Sequence, residues 1–184
     1  KIGNHCVIGA NTVVGDDCII GDYVRIGTCC SIGTENFEYH KFQDEWRKIP
    51  AVGKVSIGNH VQIGGNVVVE KGTIGTTVIG DFTQVENLVQ IGHEAKIGAQ
   101  CHIVAMTAIA GWAEVGDHVD IYGQSAISNH VKIGDHAVLF ARSGVDKDID
   151  RNMIISGFPA QNHQNELKYQ AFLRKLFRKN IKER

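Results

Sequence analysis

The chain has 184 residues, 43% of them hydrophobic and 21% charged, enough for one domain with a sizeable core. Its formal net charge of −1 gives no electrostatic case for nucleic acid or a membrane surface, and its apolar runs are too short for a membrane-spanning helix. The five cysteines (Cys6, Cys18, Cys29, Cys30, Cys101) are odd in number and lack a CxxC, which argues against a disulfide framework or zinc knuckle and for a reducing compartment.

The chain opens inside a pattern. Aliphatic-glycine pairs recur every six residues at Ile2-Gly3, Ile8-Gly9, Val14-Gly15, Ile20-Gly21, Ile26-Gly27 and Ile32-Gly33. The opening residues do not read as a signal peptide, and a start at Lys1 in mid-pattern leads us to expect a fragment of a longer protein. Residues 34–52 are charged and aromatic with no hexad, and they read as a loop or hairpin thrown out from the repeat. The repeat resumes through Ile57, Ile63 and Val69, then slips by two residues around Lys71-Gly72-Thr73. The longest block follows: Ile79, Val85, Ile91, Ile97, Ile103, Ile109, Val115, Ile121, Ile127, Ile133, Leu139 and Val145. Two residues before each stands a smaller one, such as Thr77, Ala95, Cys101, Thr107 or Ala137.

A helix has a period of 3.6 and cannot hold such a stripe on one face. Short strands separated by corners can, wound as a hexapeptide parallel β-solenoid with three sides of six residues per coil. The large aliphatic fills the interior, and the small residue leaves room for it. Glycine after the aliphatic is expected to relieve a corner at positive φ. Coils stack at roughly 4.8 Å, so about eight coils give a prism on the order of 40 Å tall. Periodicity does not set the hand, and the general crossover rule favours a right-handed winding. The expected division is a solenoid over 1–155, with the insertion at 34–52, and a tail over 156–184. In the tail Ser156-Gly157-Phe158-Pro159 reads as a turn. Leu167, Ala171, Leu173, Leu176 and Phe177 then form a helical stripe flanked by many lysines and arginines. This helix reads either as a cap for the solenoid or as a basic docking surface for an acidic partner.

Coil arithmetic sorts the nine histidines. His93 lies two residues after Ile91, Gly111 two after Ile109, and His130 three after Ile127, which places all three on one edge at successive levels. A neutral imidazole at His93 suits proton abstraction near neutral pH, and Gly111 could present a bare N–H to an oxyanion. A surface corner histidine without function fits the same position. His118 and His136 stack on another edge, and His5 and His60 share their register. A zinc site from His93, His130 and His136 is disfavoured, because the last two fall on different edges.

Several segments resemble the UDP-3-O-acylglucosamine N-acyltransferases. Glu45-Trp46-Arg47-Lys48-Ile49-Pro50 followed by Gly53-Lys54-Val55-Ser56-Ile57-Gly58 is similar to their W-x-K-I-P…G-x-V-x-I-G segment, and Phe37-Glu38-Tyr39 to their F-G-Y. Glu86-Asn87 with Gln90-Ile91-Gly92-His93 resembles D-N…Q-I-A-H, and Ser156-Gly157-Phe158-Pro159-Ala160-Gln161 resembles S-G-x-P-x-Q. The resemblance implies a left-handed parallel β-helix, a homotrimer with clefts between subunits, and a cytoplasmic step of lipid A biosynthesis. In that step a 3-hydroxyacyl chain passes from acyl carrier protein to the 2-amine of a UDP-3-O-acylglucosamine. No cofactor is bound; the donor is an acyl-4'-phosphopantetheine carried by the carrier protein. By position His93 matches the base, Gly111 the oxyanion glycine and His130 a second histidine. Arg142, Lys168, Arg174, Lys175 and Arg178 are the carrier-docking candidates.

The departures are specific. The family's N-terminal uridine-binding domain has no counterpart here, Glu94 replaces the Asn after the base, and Glu38 replaces the loop glycine. Gly144 stands near where the family often has a bulky Met, which leads us to expect room for a longer acyl chain. The alternatives are a UDP-N-acetylglucosamine O-acyltransferase, a nucleotide-sugar N-acetyltransferase using acetyl-coenzyme A, and a non-catalytic solenoid scaffold.

Overall fold

The computed structural model describes residues 1–157 and 163–182, the latter with side chains at 167–177. The aliphatic residues of the hexads align coil upon coil. One sheet of eight strands carries the register Ile8, Ile26, Ile63, Val85, Ile103, Ile121, Leu139 and Ile155. A second, of seven strands, carries Val14, Ile32, Val69, Ile91, Ile109, Ile127 and Val145. A third, of six, carries Ile20, Ile57, Ile79, Ile97, Val115 and Ile133, extended by bridges to Ile2 and Ile149. All pairs within these three sheets are parallel, and the coils wind left-handed, against the crossover rule.

The core is this stack. Ile57, Ile79, Ile91, Ile97, Ile103, Ile109 and Ile121 are fully buried, as are the small residues two places before them, among them Thr77, Ala95, Thr107 and Val119. Burying each such isoleucine contributes about 1.5–3 kcal/mol.

The corner chemistry differs from the expectation. Among the described residues Gly33 is the only glycine with positive φ. The left-handed residue is instead the third after most of the aliphatics, from His5 and Asn11 through Trp112, His118 and His130 to Asn152. These non-glycine corners cost on the order of 1–2 kcal/mol each, which inter-coil bonding offsets. The glycine directly after the aliphatic is needed for approach. A Cβ on Gly80 would meet the Gly98 carbonyl carbon at 2.5 Å, and one on Gly9 would meet that of Gly27 at 2.5 Å. Side-chain ladders tie many corners. Asp81 Oδ1 accepts the Asn59 N–H at 2.7 Å, Asp117 Oδ1 accepts that of Ala99 at 2.7 Å, and Asp135 Oδ1 accepts that of Asp117 at 3.0 Å.

Both breaks in the repeat are insertions. Ile20 and Ile57 are register partners, so one coil absorbs residues 34–52 as extra chain. That chain forms a hairpin of strands Tyr39–Phe42 and Glu45–Lys48, paired antiparallel. The second break is not a two-residue slip. Ile57 pairs with Ile79, 22 residues on rather than 18, so four residues are added around 71–75. The extra chain brings Ile79 back into register above Ile57. Before the end the opposite occurs: Ile133 bridges Ile149, shortening one coil by two residues.

The helix spans His163–Lys182. Leu167, Tyr169, Phe172, Leu173, Leu176 and Phe177 are all exposed, so the described helix face does not cap the solenoid. The turn expected at Ser156–Pro159 falls partly outside the described residues. No helix among them is long and apolar enough to cross a membrane. All five cysteines are free thiols.

The glycine argument gives a stability test. Gly80→Ala, which drives a Cβ into backbone, should destabilise the chain by about 1–3 kcal/mol. Gly144→Ala, with nothing within 4 Å of the new carbon, should be close to neutral. Thermal unfolding of the two variants side by side checks it.

Candidate active site

The strand Gln90–Ile91 turns a corner at Gly92, and the next residues are His93 and Glu94. One coil on, Ala108–Ile109 leads into Ala110, Gly111 and Trp112. The structure places His93, Gly111 and His130 at this same corner on three successive coils. They are not equivalent. His93 and Gly111 are in contact: a Cβ on Gly111 would lie 2.6 Å from His93 Nε2. Glycine is therefore what gives the imidazole its place. His130 is exposed and stands one residue further along the corner. It stacks on Trp112 with ring centroids 5.9 Å apart and 11° between planes. Trp112 meets the His93 ring edge-on at 6.1 Å. The indole thus separates the two imidazoles.

His93 and Gly111 line an open groove of about 510 Å3, with Glu70, Gln90, Ser128, Asn129 and the hairpin residue Phe37 among the other lining residues. Gly111 is buried, yet among the described residues its N–H has no acceptor. At several other corners an Asp or Asn on the next coil caps the equivalent N–H, as Asn87 Oδ1 does for Gly65 and Asp117 Oδ1 for Ala99, both at 2.7 Å. Here Asn129 occupies that rung without doing so. A buried, unpaired donor facing a groove is a ready site for a ligand oxygen.

Two carboxylates shape the site. Glu94 Oε2 lies 2.6 Å from His93 Nδ1, and Glu94 Oε1 accepts the N–H groups of Ile74 and Gly75, both at 3.0 Å. Burial alone would push the Glu94 carboxyl up. The Gly75 N–H, the His93 ring and the Ile74 N–H outweigh it and hold the carboxyl below its ordinary value. Glu70 accepts the His93 backbone N–H at 3.2 Å and the Gln90 side-chain amide at 3.2 Å. Burial dominates there and raises its carboxyl, despite those bonds and the nearby His93 ring.

Sequence reasoning noted Glu94 only as a departure, named Phe37 only within the F-G-Y resemblance, and passed over Glu70 and Trp112. Glu70 did leave a signal, since it follows Val69 where most coils have a glycine. The remaining sequence candidates lie elsewhere. Arg142 is on a different corner of the prism and donates from Nε to Gln124 Oε1 at 2.8 Å. Lys168, Arg174 and Lys175 are exposed on the helix, and the side chain of Arg178 lies outside the described residues. His136 stacks on His118 at 4.7 Å, also on another corner. Among the described residues no cluster of His, Cys, Asp or Glu side chains forms a metal site.

Residues 1–34 match the family model described as bacterial transferase hexapeptide (six repeats). The chain is 54% identical over 139 residues to UDP-3-O-acylglucosamine N-acyltransferase 1 of Gloeobacter violaceus, covering 76% of this chain and 40% of that protein. It is 51% identical over 144 residues to the UDP-3-O-acylglucosamine N-acyltransferase of Prochlorococcus marinus strain MIT 9515, covering 78% and 42%. The solenoid's relatives are the UDP-3-O-acylglucosamine N-acyltransferases. The resemblance drawn from the W-x-K-I-P and His93 motifs therefore holds, and the chain spans about 40% of the length of these curated relatives. Among solved structures, the Francisella novicida UDP-N-acetylglucosamine acyltransferase superposes with a TM-score of 0.72 at 26% identity, covering 92% of this chain and 64% of that one. The Moraxella catarrhalis UDP-N-acetylglucosamine O-acyltransferase gives 0.62 at 28%, covering 88% and 64%.

Glu94 makes a pH prediction. Its folded carboxyl is depressed, so its stabilising contribution is complete above the ordinary value of 4.5 and is lost as pH falls through the folded value. Glu70, raised, has the opposite sign. The difference in melting temperature between the parent and Glu94→Gln should be large at neutral pH and shrink in acid below about 4.5. A gap that widens in acid contradicts the assignment.

Proposed function

We propose that this solenoid is the catalytic part of an N-acyltransferase that moves a 3-hydroxyacyl chain from acyl carrier protein to the 2-amine of a UDP-3-O-acylglucosamine, in lipid A biosynthesis. The observation that carries the reading is the His93–Gly111 contact. It sets a base nitrogen and an unpaired amide side by side in one groove. The relatives named for this reaction support it.

The chemistry follows from those groups. The amine nitrogen attacks the thioester carbon, and the proton it sheds goes to His93 Nε2. The carbonyl oxygen becomes an oxyanion within reach of the Gly111 N–H. The C–S bond breaks, and the proton held by His93 passes to the leaving thiolate. His130, behind Trp112, is outside direct proton exchange with His93 and is suited to holding the substrate's polar groups. The hairpin with Trp46 and Phe37 favours the N-acyl reading over the O-acyl one suggested by the solved structures, because the W-x-K-I-P segment resembles the former family alone.

A homotrimer, with clefts between subunits, and a cytoplasmic location complete the proposal. The exposed Lys168, Arg174 and Lys175, with Arg142 and Arg178, offer positive charge to an acidic carrier.

The reading is tested by the donor and acceptor. The chain, or the longer protein that contains it, should use 3-hydroxyacyl carrier protein with UDP-3-O-acylglucosamine and not acetyl-coenzyme A. His93→Ala should lower turnover by about 10²-fold or more. Binding without turnover in the parent would favour a scaffold.

Gly144 extends the argument to the acyl chain. It continues an outward row of Gln90, Ala108 and Ala126 from the groove, and nothing lies within 4 Å of where its Cβ would be. Mass spectrometry of products from a carrier series should show a preference for longer chains, and Gly144→Met should shorten it. A short-chain preference in the parent defeats this idea.

A further inference from the structure

We propose that the four-residue insertion around 71–75 is a cradle that fixes the tautomer of His93 through Glu94. The inference rests on the reading of His93 as the base and adds the device that keeps its reactive nitrogen free.

The repeat alone would not build this arrangement. Trp112 and His130 hold the same corner position as Glu94 on the next two coils, and both are exposed. Glu94 is only 4% exposed, because the insertion folds over it. The closure depends on two glycines. A Cβ on Gly72 would lie 3.0 Å from Glu94 Oε1, and one on Gly75 would lie 3.0 Å from Glu94 Cγ. The Glu94 backbone is also anchored, donating its N–H to Thr77 Oγ1 at 2.9 Å.

The cradle is itself clamped by the hairpin insertion. On the return side, Val52 N–H donates to Thr73 O at 2.8 Å, Gly53 N–H to Gly72 O at 3.0 Å, and Lys54 N–H to Gly75 O at 3.0 Å. On the outgoing side, Asn36 Nδ2 donates to Thr73 Oγ1 at 2.6 Å, and Thr73 Oγ1 donates to Glu38. The two departures from the repeat are therefore one hydrogen-bonded unit, which ends at the imidazole.

Its effect on His93 follows from donor and acceptor counting. The backbone N–H groups of Ile74 and Gly75 can only donate, so Oε1 must accept. A carboxylate has a second acceptor, Oε2, and it faces His93 Nδ1. Nδ1 must then carry the proton, which leaves the Nε2 lone pair free beside Gly111. An amide cannot copy this. In Glu94→Gln the oxygen stays with the two backbone donors, and the amide NH2 turns to His93. Nδ1 must then accept, and the proton moves to Nε2.

The experiment is nitrogen-15 NMR of the imidazole nitrogens in the full chain, with His93 assigned by comparison with His93→Ala. The parent should show protonated Nδ1 and free Nε2. Glu94→Gln should interchange the two signals, and kcat should fall about 10²-fold with KM little changed. Glu94→Asn, which retracts from both partners, should give a mixture of tautomers and serves if Glu94→Gln does not fold. Restoring a carboxylate with Glu94→Asp should recover part of the Nδ1–H form. A His93 that keeps its Nδ1 proton in both amide variants overturns the proposal. An interchange of tautomers with unchanged turnover supports the cradle and overturns the reading of His93 as the base.

Discussion

No single coil of this protein can bury its own aliphatic residues. Ile91 is covered only because Val69 and Ile109 lie directly beneath and above it, at the strand spacing of roughly 4.8 Å. Every other feature answers to that stacking distance. Glycines follow the aliphatics because a Cβ there would collide with the next coil's backbone, and the left-handed corner residues donate their N–H groups to the coil before. The same constraint makes the site possible: an imidazole and a glycine from residues 18 apart in sequence touch because the winding returns to the same corner.

The groove uses departures from the repeat rather than the repeat itself. Where most coils have glycine after the aliphatic, one has Glu70. Where several coils cap a corner amide with Asp or Asn, the buried Gly111 N–H has no acceptor among the described residues. The two insertions bond to each other and close over Glu94. A regular coil is held on both sides by similar neighbours, which occupy most of its strand donors and acceptors. Interrupting that regularity is how this architecture frees groups for chemistry.

The two carboxylates beside His93 differ because of what surrounds them. Both lose solvation, but Glu94 gains two backbone donors and the imidazole, and it stays ionised. Glu70 has weaker compensation, and burial wins. One is therefore a fixed acceptor for the ring, and the other is a group whose charge is disfavoured at the groove wall.

The sequence by itself determined the solenoid, its coil count, the position of the hairpin and the shared corner of His93, Gly111 and His130. It could do so because a strict six-residue period maps position in the chain directly onto position around the prism. It gave the hand only through a family resemblance, since a period has no chirality. It misassigned the positive φ to glycine, because a repeat shows that a small residue is required without showing whether torsion or contact requires it. The four-residue insertion read as a slip of two, since a count modulo six cannot tell a loss of two from a gain of four. Only the tertiary structure decided the partners of Glu94, the indole between the histidines, the free amide of Gly111 and the exposed face of the helix. Those depend on how far each departure from the repeat swings out before the chain rejoins its register, and that distance is set by contacts between coils.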